Sequence, residues 1–443
     1  MKSAIPIFDS GWPLQVGQRK AKSGNRKEES IVHSLTRRKL LLAGGTAAAA
    51  PFIARLAHAA SKPIRIGVLG DMTGPYSVFS GVNTIAATKL AIEDFNKLHP
   101  DISVDIVSAD FQLKPDIGIA ITRQWFEEGG VDCIIDVPMS ALALGLVNLC
   151  NQKDKVALFT GTATEDLTGK SCGPNHVHWT YDSYSLATTV ARALLQKKLD
   201  RWFFIAADYA MGASVVRDAS VAIKEAGGTV LGSVRHPFPG TGDFSSFLLQ
   251  AQASGANVIC FANAGEDLQN SVRQAKEFNI EANGAVLTAM LMDVPTVRAI
   301  GLAQAQGLYY SNAFYWDMND GTRAFTKRLI ALNNGTYPSQ NVAGAYSAAL
   351  HYLKAIASVG VEAARSSGRA VIAQMKAAPY DDSVFGRGTL RADGRMMNNT
   401  YLFQIKAPAE SKSDWDCSKL AGTVPPQDGI RPLANGSCEM AKG

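Results

Sequence analysis

Apolar residues in this chain recur in short runs, separated by stretches with helical spacing. Ile64, Ile66, Val68 and Leu69 make the first run, a strand. A loop of turn formers from Gly70 to Gly81 follows, with Asp71, Gly74 and Pro75 and two aromatics, Tyr76 and Phe79. Ile85, Leu90, Ala91, Ile92 and Phe95 then fall on one face of a helix. The pattern repeats, with strands predicted at 104–110, 133–137 and 156–159 and helices at 116–128 and 141–152. Such alternation predicts a parallel sheet with helices on both faces. Ligands of open α/β sheets bind past the carboxyl ends of the strands. Tyr76 and Phe79 fall there, as exposed ligand contacts or as plugs of the core.

The segment VHWTYDSY, 177–184, reads as a connector into a second unit of the same kind. Helices at 184–197, 212–226, 244–253 and 267–278 alternate with strands at 202–206, 229–235, 258–262, 285–287 and 308–311. The aromatic, turn-rich stretch 311–321 predicts a second crossing between the units. Helices at 322–332, 342–359 and 370–376 follow; Gly386–Gly388, Asp393-Gly394 and a strand at 401–405 predict a third crossing. The polar tail after Ala407 is expected to lie over the surface. The predicted fold class is α/β: two Rossmann-like lobes with parallel sheets, joined by a three-crossing hinge and able to close on a small ligand. The expected N-terminal lobe comprises 60–181 and 316–386, the C-terminal lobe 182–315 and 387–415, and the tail 416–443.

The 443 residues suffice for two ordinary domains, and 47% hydrophobic with 19% charged residues is the usual globular balance. The formal charge of +5 is unevenly placed: residues 1–59 carry +7, which leaves −2 for the rest. That body lacks the basic face a nucleic-acid binder needs. Thr36-Arg37-Arg38-Lys39-Leu40-Leu41 resembles a twin-arginine export signal, and Ala57-His58-Ala59 fits a small-x-small cleavage site. The apolar run between them is too short and too rich in Ala and Gly for a bilayer of ~30 Å. Residues 1–59 are therefore read as a signal peptide, and the mature protein as periplasmic.

Of the six cysteines, Cys133, Cys150 and Cys260 sit in apolar strand or helix runs and read as small core residues. Cys172 and Cys438 lie in polar loops and form the best disulfide pair, with Cys417 a weaker candidate. Gly67, Gly70 and Gly74 do not make a dinucleotide loop, and Gly169-Lys170-Ser171 lacks the glycine a phosphate cradle needs at Thr164. His176 and His178 share one face of a strand without a further ligand pattern, so they read as structural. With no nucleophile elbow either, no enzyme activity, metal or cofactor is expected. The positive signals are strand-end loops. Ser140 is expected to cap a helix whose N–H groups attract carboxylates. Thr160–Thr164 is a run of hydroxyls and backbone donors.

The stretches GDMTGPYSVFSG, TGTATEDLTGKSCGPNHVHWTYDSY, DFSSFLLQAQASGANVICFANAG and AFYWDMNDGTRAF, in this order, resemble the periplasmic solute-binding proteins of branched-chain amino acid type ABC importers. The resemblance covers nearly all of Lys62 to Cys438. It implies the type I periplasmic binding fold, a monomer, and partnership with a membrane permease and its ATPases. It also implies that Phe79 covers a ligand whose carboxylate is held by Ser140, Ala141, Thr162 and Thr164. The second lobe departs from the amino acid pattern. The position of the carboxylate that accepts the ligand ammonium is matched by Met290, with Tyr209, Met211 and Asn263 nearby. Glu266 and Asp267 offer charge, but at a helix start, where acids are commonplace. A thioether cannot balance a buried cation. This lining resembles the subgroup that takes up aromatic acids; a branched-chain amino acid or amide binder, or a sensory module of the same fold, is the alternative.

Overall fold

The computed structural model describes residues 62–441, so the signal peptide read over 1–59 lies outside the described residues. Ile64, Ile66, Val68 and Leu69 are fully buried because strand β1 (Ile64–Gly70) runs inside a sheet covered on both faces. Its helices and strands follow in alternation: α1 (Val82–Asn96), β2 (Val104–Asp110), α2 (Pro115–Glu127), β3 (Cys133–Asp136), α3 (Ser140–Lys153), β4 (Val156–Phe159) and β5 (His176–His178). The five strands pair in parallel in the order β2-β1-β3-β4-β5. The carboxyl ends of β1, β3 and β4 therefore share one edge.

The second unit runs α4 (Ser183–Leu195), β6 (Arg201–Ala207), α5 (Ala210–Glu225), β7 (Thr229–His236), α6 (Ser245–Ala253), β8 (Val258–Ala262), α7 (Gly265–Glu277) and β9 (Val286–Ala289). Helices α8 (Val294–Ile300) and α9 (Leu302–Ala305), absent from the sequence reading, precede β10 (Tyr309–Asn312). Pro295 sits in the first turn of α8 and Asp293 caps it by accepting Thr296 N at 3.1 Å, a start signal the apolar pattern obscures.

The chain then returns to the first lobe as α10 (Asp320–Ile330), α11 (Gln340–Val359), α12 (Val361–Ser366) and α13 (Gly368–Ala377). Helix α11 is buried along most of its length and packs beside α1. Strands β11 (Tyr380–Asp382), β12 (Gly386–Leu390) and β13 (Met396–Met397) form a small antiparallel sheet. Leu390 and Met396 belong to the same buried cluster as Trp179 and Val177, so residues 387–397 pack on the first lobe and not, as expected, on the second. The third crossing falls at Asn398-Asn399, just before β14 (Thr400–Ile405). The tail corrects a second expectation. Residues Ser418–Val424 form β15, which pairs antiparallel with β14 and completes a seven-stranded sheet, β15-β14-β10-β9-β8-β6-β7.

The crossings are pinned by a buried ion pair. Arg395, 0% exposed, directs Nε to Asp182 Oδ2 at 2.6 Å, and its Nη1 reaches the Met396 carbonyl at 2.9 Å. Asp182 also caps α4 by accepting Ser185 N at 2.7 Å. Burial alone would raise the Asp182 carboxyl, but Arg395 holds it down at about 2. Beyond β15 the tail leaves the second lobe for the first. Arg431 Nη1 lies 2.7 Å from Glu165 Oε2, and Cys438 is disulfide-bonded to Cys172. Cys133, Cys150, Cys260 and Cys417 are free and buried.

Candidate functional site

The lobes meet through strand-end loops: those after β1 and β4 of the first sheet touch those after β6 and β8 of the second and the helix α5. The loop after β1 is shaped by two carboxylates. Asp71 accepts Gly74 N at 2.8 Å and Tyr76 N at 2.7 Å, which folds the loop back on itself. Asp136, at the end of β3, accepts Ser80 Oγ at 2.7 Å and Gly81 N at 3.0 Å. Gly81 is required here: its φ is +62°, and a Cβ would stand 2.3 Å from the Asp71 carbonyl oxygen. Asp136 and Val137 adopt φ of 86° and 55°, left-handed values that cost side-chain-bearing residues energy and recur at functional sites. Burial pushes the Asp136 carboxyl up to about 6.

This scaffold fixes Phe79. Its carbonyl accepts Asn341 Nδ2 at 2.9 Å and Ser339 Oγ at 3.1 Å, both from the start of α11. Of the two readings the sequence leaves for Tyr76 and Phe79, exposed contacts or plugs, the structure gives buried rings, 1% and 5% exposed. Their rings lie 5.0 Å apart. They are buried because the other lobe covers them. Tyr76 OH meets Tyr209 OH at 2.5 Å, and the Tyr209 ring stacks on Phe238 at 4.3 Å. Gly265, at the start of α7, accommodates this approach: a Cβ there would lie 2.2 Å from the Pro75 carbonyl oxygen.

Ser140 does not cap α3, as expected; it is the first residue of the helix, and Met139 occupies the cap without a side-chain bond. The Ser140 hydroxyl instead accepts Thr164 N at 3.3 Å. Thr162 Oγ1 donates to the Val137 carbonyl at 2.7 Å, and Thr164 Oγ1 meets Ser214 Oγ of α5 at 2.7 Å. His178 supports this loop from behind, Nε2 to the Thr162 carbonyl at 2.7 Å; His176 does the same for the Leu167 carbonyl at 2.8 Å. Burial lowers both imidazoles to about 4, in keeping with a structural role.

Met211 and Met290 are buried in one continuous apolar cluster with Tyr76, Phe79 and Tyr181, against which Ala141 and Tyr209 are packed. Phe79, Met211 and Met290 thus share one cluster with Ala141 and Tyr209 packed on it; Thr164, bonded to Ser140 and to Ser214, joins the lobes, and Thr162 is held within its own lobe by Val137. Asn263 stands slightly apart, hydrogen-bonded to His236 Nε2 at 3.2 Å. Tyr76 and Asp267 were weighed from sequence without being counted among the site residues, and Tyr181 and Phe238 were not weighed at all. For Tyr181 the signal was the aromatic connector after β5; its hydroxyl donates to the Gly161 carbonyl at 2.8 Å. Phe238 carried none; only its stacking on Tyr209 marks it.

At the rim, Arg217 of α5 reaches across the lobes. Its Nη2 lies 2.6 Å from Glu165 Oε1 and its Nη1 3.2 Å from Asp166 Oδ1, while Nε holds Asp218 at 2.8 Å. Burial pushes Glu165 up to about 7 despite Arg431 and Arg217 beside it.

Two parallel-sheet lobes, three crossings and facing strand-end loops are the architecture of the type I periplasmic binding proteins. The chain belongs to the periplasmic binding protein family, whose sequence model matches residues 63–413. A periplasmic binding protein from Burkholderia mallei is 35% identical, with TM-score 0.79, covering 85% of this chain and 99% of its own. A branched chain amino acid ABC transporter periplasmic ligand-binding protein from Burkholderia xenovorans LB400 is 37% identical, with TM-score 0.75, over 85% of this chain and 100% of its own. Leu/Ile/Val-binding protein homolog 6 from Brucella melitensis is 23% identical over 51% of this chain, and the match spans 57% of that relative's length. An R. palustris solute-binding protein solved with 4-hydroxybenzoate shares the fold at TM-score 0.72 and 20% identity, over 82% of this chain and 98% of its own.

Proposed function

We propose that this protein is the periplasmic capture component of an ABC importer, reached by twin-arginine export, and that it takes up a small aromatic acid and releases it unaltered. The lining of the seam carries this reading. By the family resemblance Met290 matches the position where an amino acid binder carries a carboxylate, and it is fully buried in the apolar cluster that also holds Met211, Phe79 and Tyr76. A flat ring gains about 0.5–1.5 kcal/mol from each such aromatic or thioether contact. The Ser140 hydroxyl, the N–H groups that open α3 and the Thr160–Thr164 loop suit a carboxylate on the other side. Micromolar affinity needs about 8 kcal/mol, within reach of one anchored carboxylate and one buried ring.

Ligand binds an open form and draws the lobes shut, because it contacts both walls only when they meet. The permease then recognises the closed monomer. A second reading is an amino acid ligand, favoured by the buried Asp267 carboxyl and by two relatives, a Leu/Ile/Val-binding protein homolog of Brucella melitensis and a branched chain amino acid transporter ligand-binding protein of Burkholderia xenovorans. A calorimetric screen of purified protein against aromatic acids and aliphatic amino acids separates the two. Tight binding of leucine with no response to any aromatic acid overturns the first reading.

A further inference from the structure

The two walls of the seam present opposite hydrogen-bonding chemistry. The first lobe offers donors: the Ser140 hydroxyl and the opening N–H groups of α3. The second lobe offers acceptors, and two of them are buried without a donor. Asn263 is 0% and Asp267 1% exposed. His236, kept neutral by burial, has Nδ1 2.9 Å from the Pro237 carbonyl, so Nδ1 carries the proton and Nε2 accepts. Asn263 Nδ2 donates to that Nε2 at 3.2 Å. The amide orientation is thereby fixed, and Oδ1 is left with no donor. Asp267 Oδ1 accepts Thr241 N at 3.0 Å, whereas Oδ2 has no donor; His236 Nδ1, at 3.9 Å, is beyond hydrogen-bond range. The Tyr76 and Tyr209 hydroxyls, paired with each other, both lie within the field of Asp267. Leaving buried acceptors unmet is costly; Asp267 lies near the Tyr76–Tyr209 pair, and Asn263 is joined to the same corner through His236.

We propose that Asn263 and Asp267 form a subsite that receives a hydrogen-bond donor on the ligand, so that the preferred ligand is an aromatic acid bearing a ring hydroxyl or amino group opposite its carboxylate. This rests on the aromatic-acid reading of the seam. The donor and acceptor walls belong to different lobes, and Met211, Met290 and Phe79 lie in the apolar cluster that draws on both. A ligand polar at both ends and flat in the middle matches that order; closure would then read both ends at once.

The test is calorimetry on the disulfide-intact protein with benzoate, 4-hydroxybenzoate, 4-aminobenzoate, 4-methoxybenzoate and L-leucine. The wild type is expected to bind the hydroxy and amino acids at least tenfold tighter than benzoate, and the methoxy acid, which cannot donate, no tighter than benzoate. Asp267→Asn keeps an acceptor for Thr241 N, turns the unmet oxygen into a donor, and should shrink the tenfold preference below threefold. Asn263→Leu, checked for folding by circular dichroism, should shrink it too. Equal wild-type affinity for benzoate and 4-hydroxybenzoate overturns the inference, as does a preference unchanged in both variants. Binding of leucine alone overturns instead the aromatic-acid reading beneath it.

Discussion

Asn341 Nδ2 donates to Asp136 Oδ1 at 2.8 Å while also reaching the Phe79 carbonyl at 2.9 Å, so one amide from α11 fastens both the end of β3 and the aromatic loop after β1. Asn341→Ala leaves a buried carboxyl with one donor fewer and frees the Phe79 backbone. Loss of about 1–3 kcal/mol in urea denaturation is expected, together with weaker ligand binding, since Phe79 loses its support. Unchanged affinity in a folded Asn341→Ala would show that Phe79 is not a ligand contact.

The Asp136 carboxyl gives a pH signature. Its folded-state value, about 6, lies above the ordinary 3.8 because of burial. The folded chain therefore holds that proton more tightly, and the stability this contributes is complete below about pH 4 and lost as pH rises through about 6. The size is on the order of 3 kcal/mol. His176 and His178, lowered to about 4 by burial, act in the opposite direction over the same window. The measurement is therefore a difference: wild-type stability minus that of Asp136→Asn should fall between pH 4 and 7. A flat difference would mean that Asp136 is not buried as an acid.

Gly265→Ala is expected to act as a wedge. The added methyl meets the Pro75 carbonyl oxygen and Tyr76 Cδ1, which stand 2.2 and 2.7 Å from its position, and φ at +60° adds strain. Both obstacles belong to the opposite lobe, so the lobes should fold and fail to shut. Small-angle scattering should show no compaction on addition of ligand, with affinity reduced at least tenfold. Normal closure would place the steric relief elsewhere.

Arg217 tests the rim. Its ion pairs to Glu165 and Asp166 join the lobes, but its side chain is 42% exposed, so each pair is worth only about 0.2–1 kcal/mol. Arg217→Ala should weaken ligand binding about fivefold through loss of the closed state, and wild-type affinity should drop with added salt while the variant's changes little. Equal salt dependence in both would remove Arg217 from the closure.

Much of this fold was legible because parallel strands buried on both faces write continuous apolar runs, as Val156–Phe159 and Val258–Ala262 do; the half-exposed edge strand Val104–Asp110 was bounded correctly from its mixed apolar and polar pattern. What was missed lacks such runs. Helix α8 is seven residues long, and β15, KLAGTV after Ser418, is a half-exposed edge whose pairing depends on β14 rather than on its own pattern. The same holds at the seam. Ser140 was read from the loop after an apolar strand and Met290 from the family resemblance, whereas Asp267 looked like a commonplace helix-start acid, and only its place beside His236 and the Tyr76–Tyr209 pair sets it apart. The burial of Tyr76 could not be read locally, because it comes from the opposite lobe.

The tail that leaves β15 and ends in the Cys438–Cys172 bond is fastened to both halves of the molecule. Its roughly 13 intervening residues could stretch about 45 Å, so the bond alone tolerates rotation. Arg431, docked on Glu165 and held through its carbonyl by Arg391 at 2.6 Å, shortens the free length. A fluorophore attached beyond Cys438 would thus ride with the first half, although the chain reaches it from the second. Paired with a dye near Glu410, it makes a molecular ruler for the swing of the lobes.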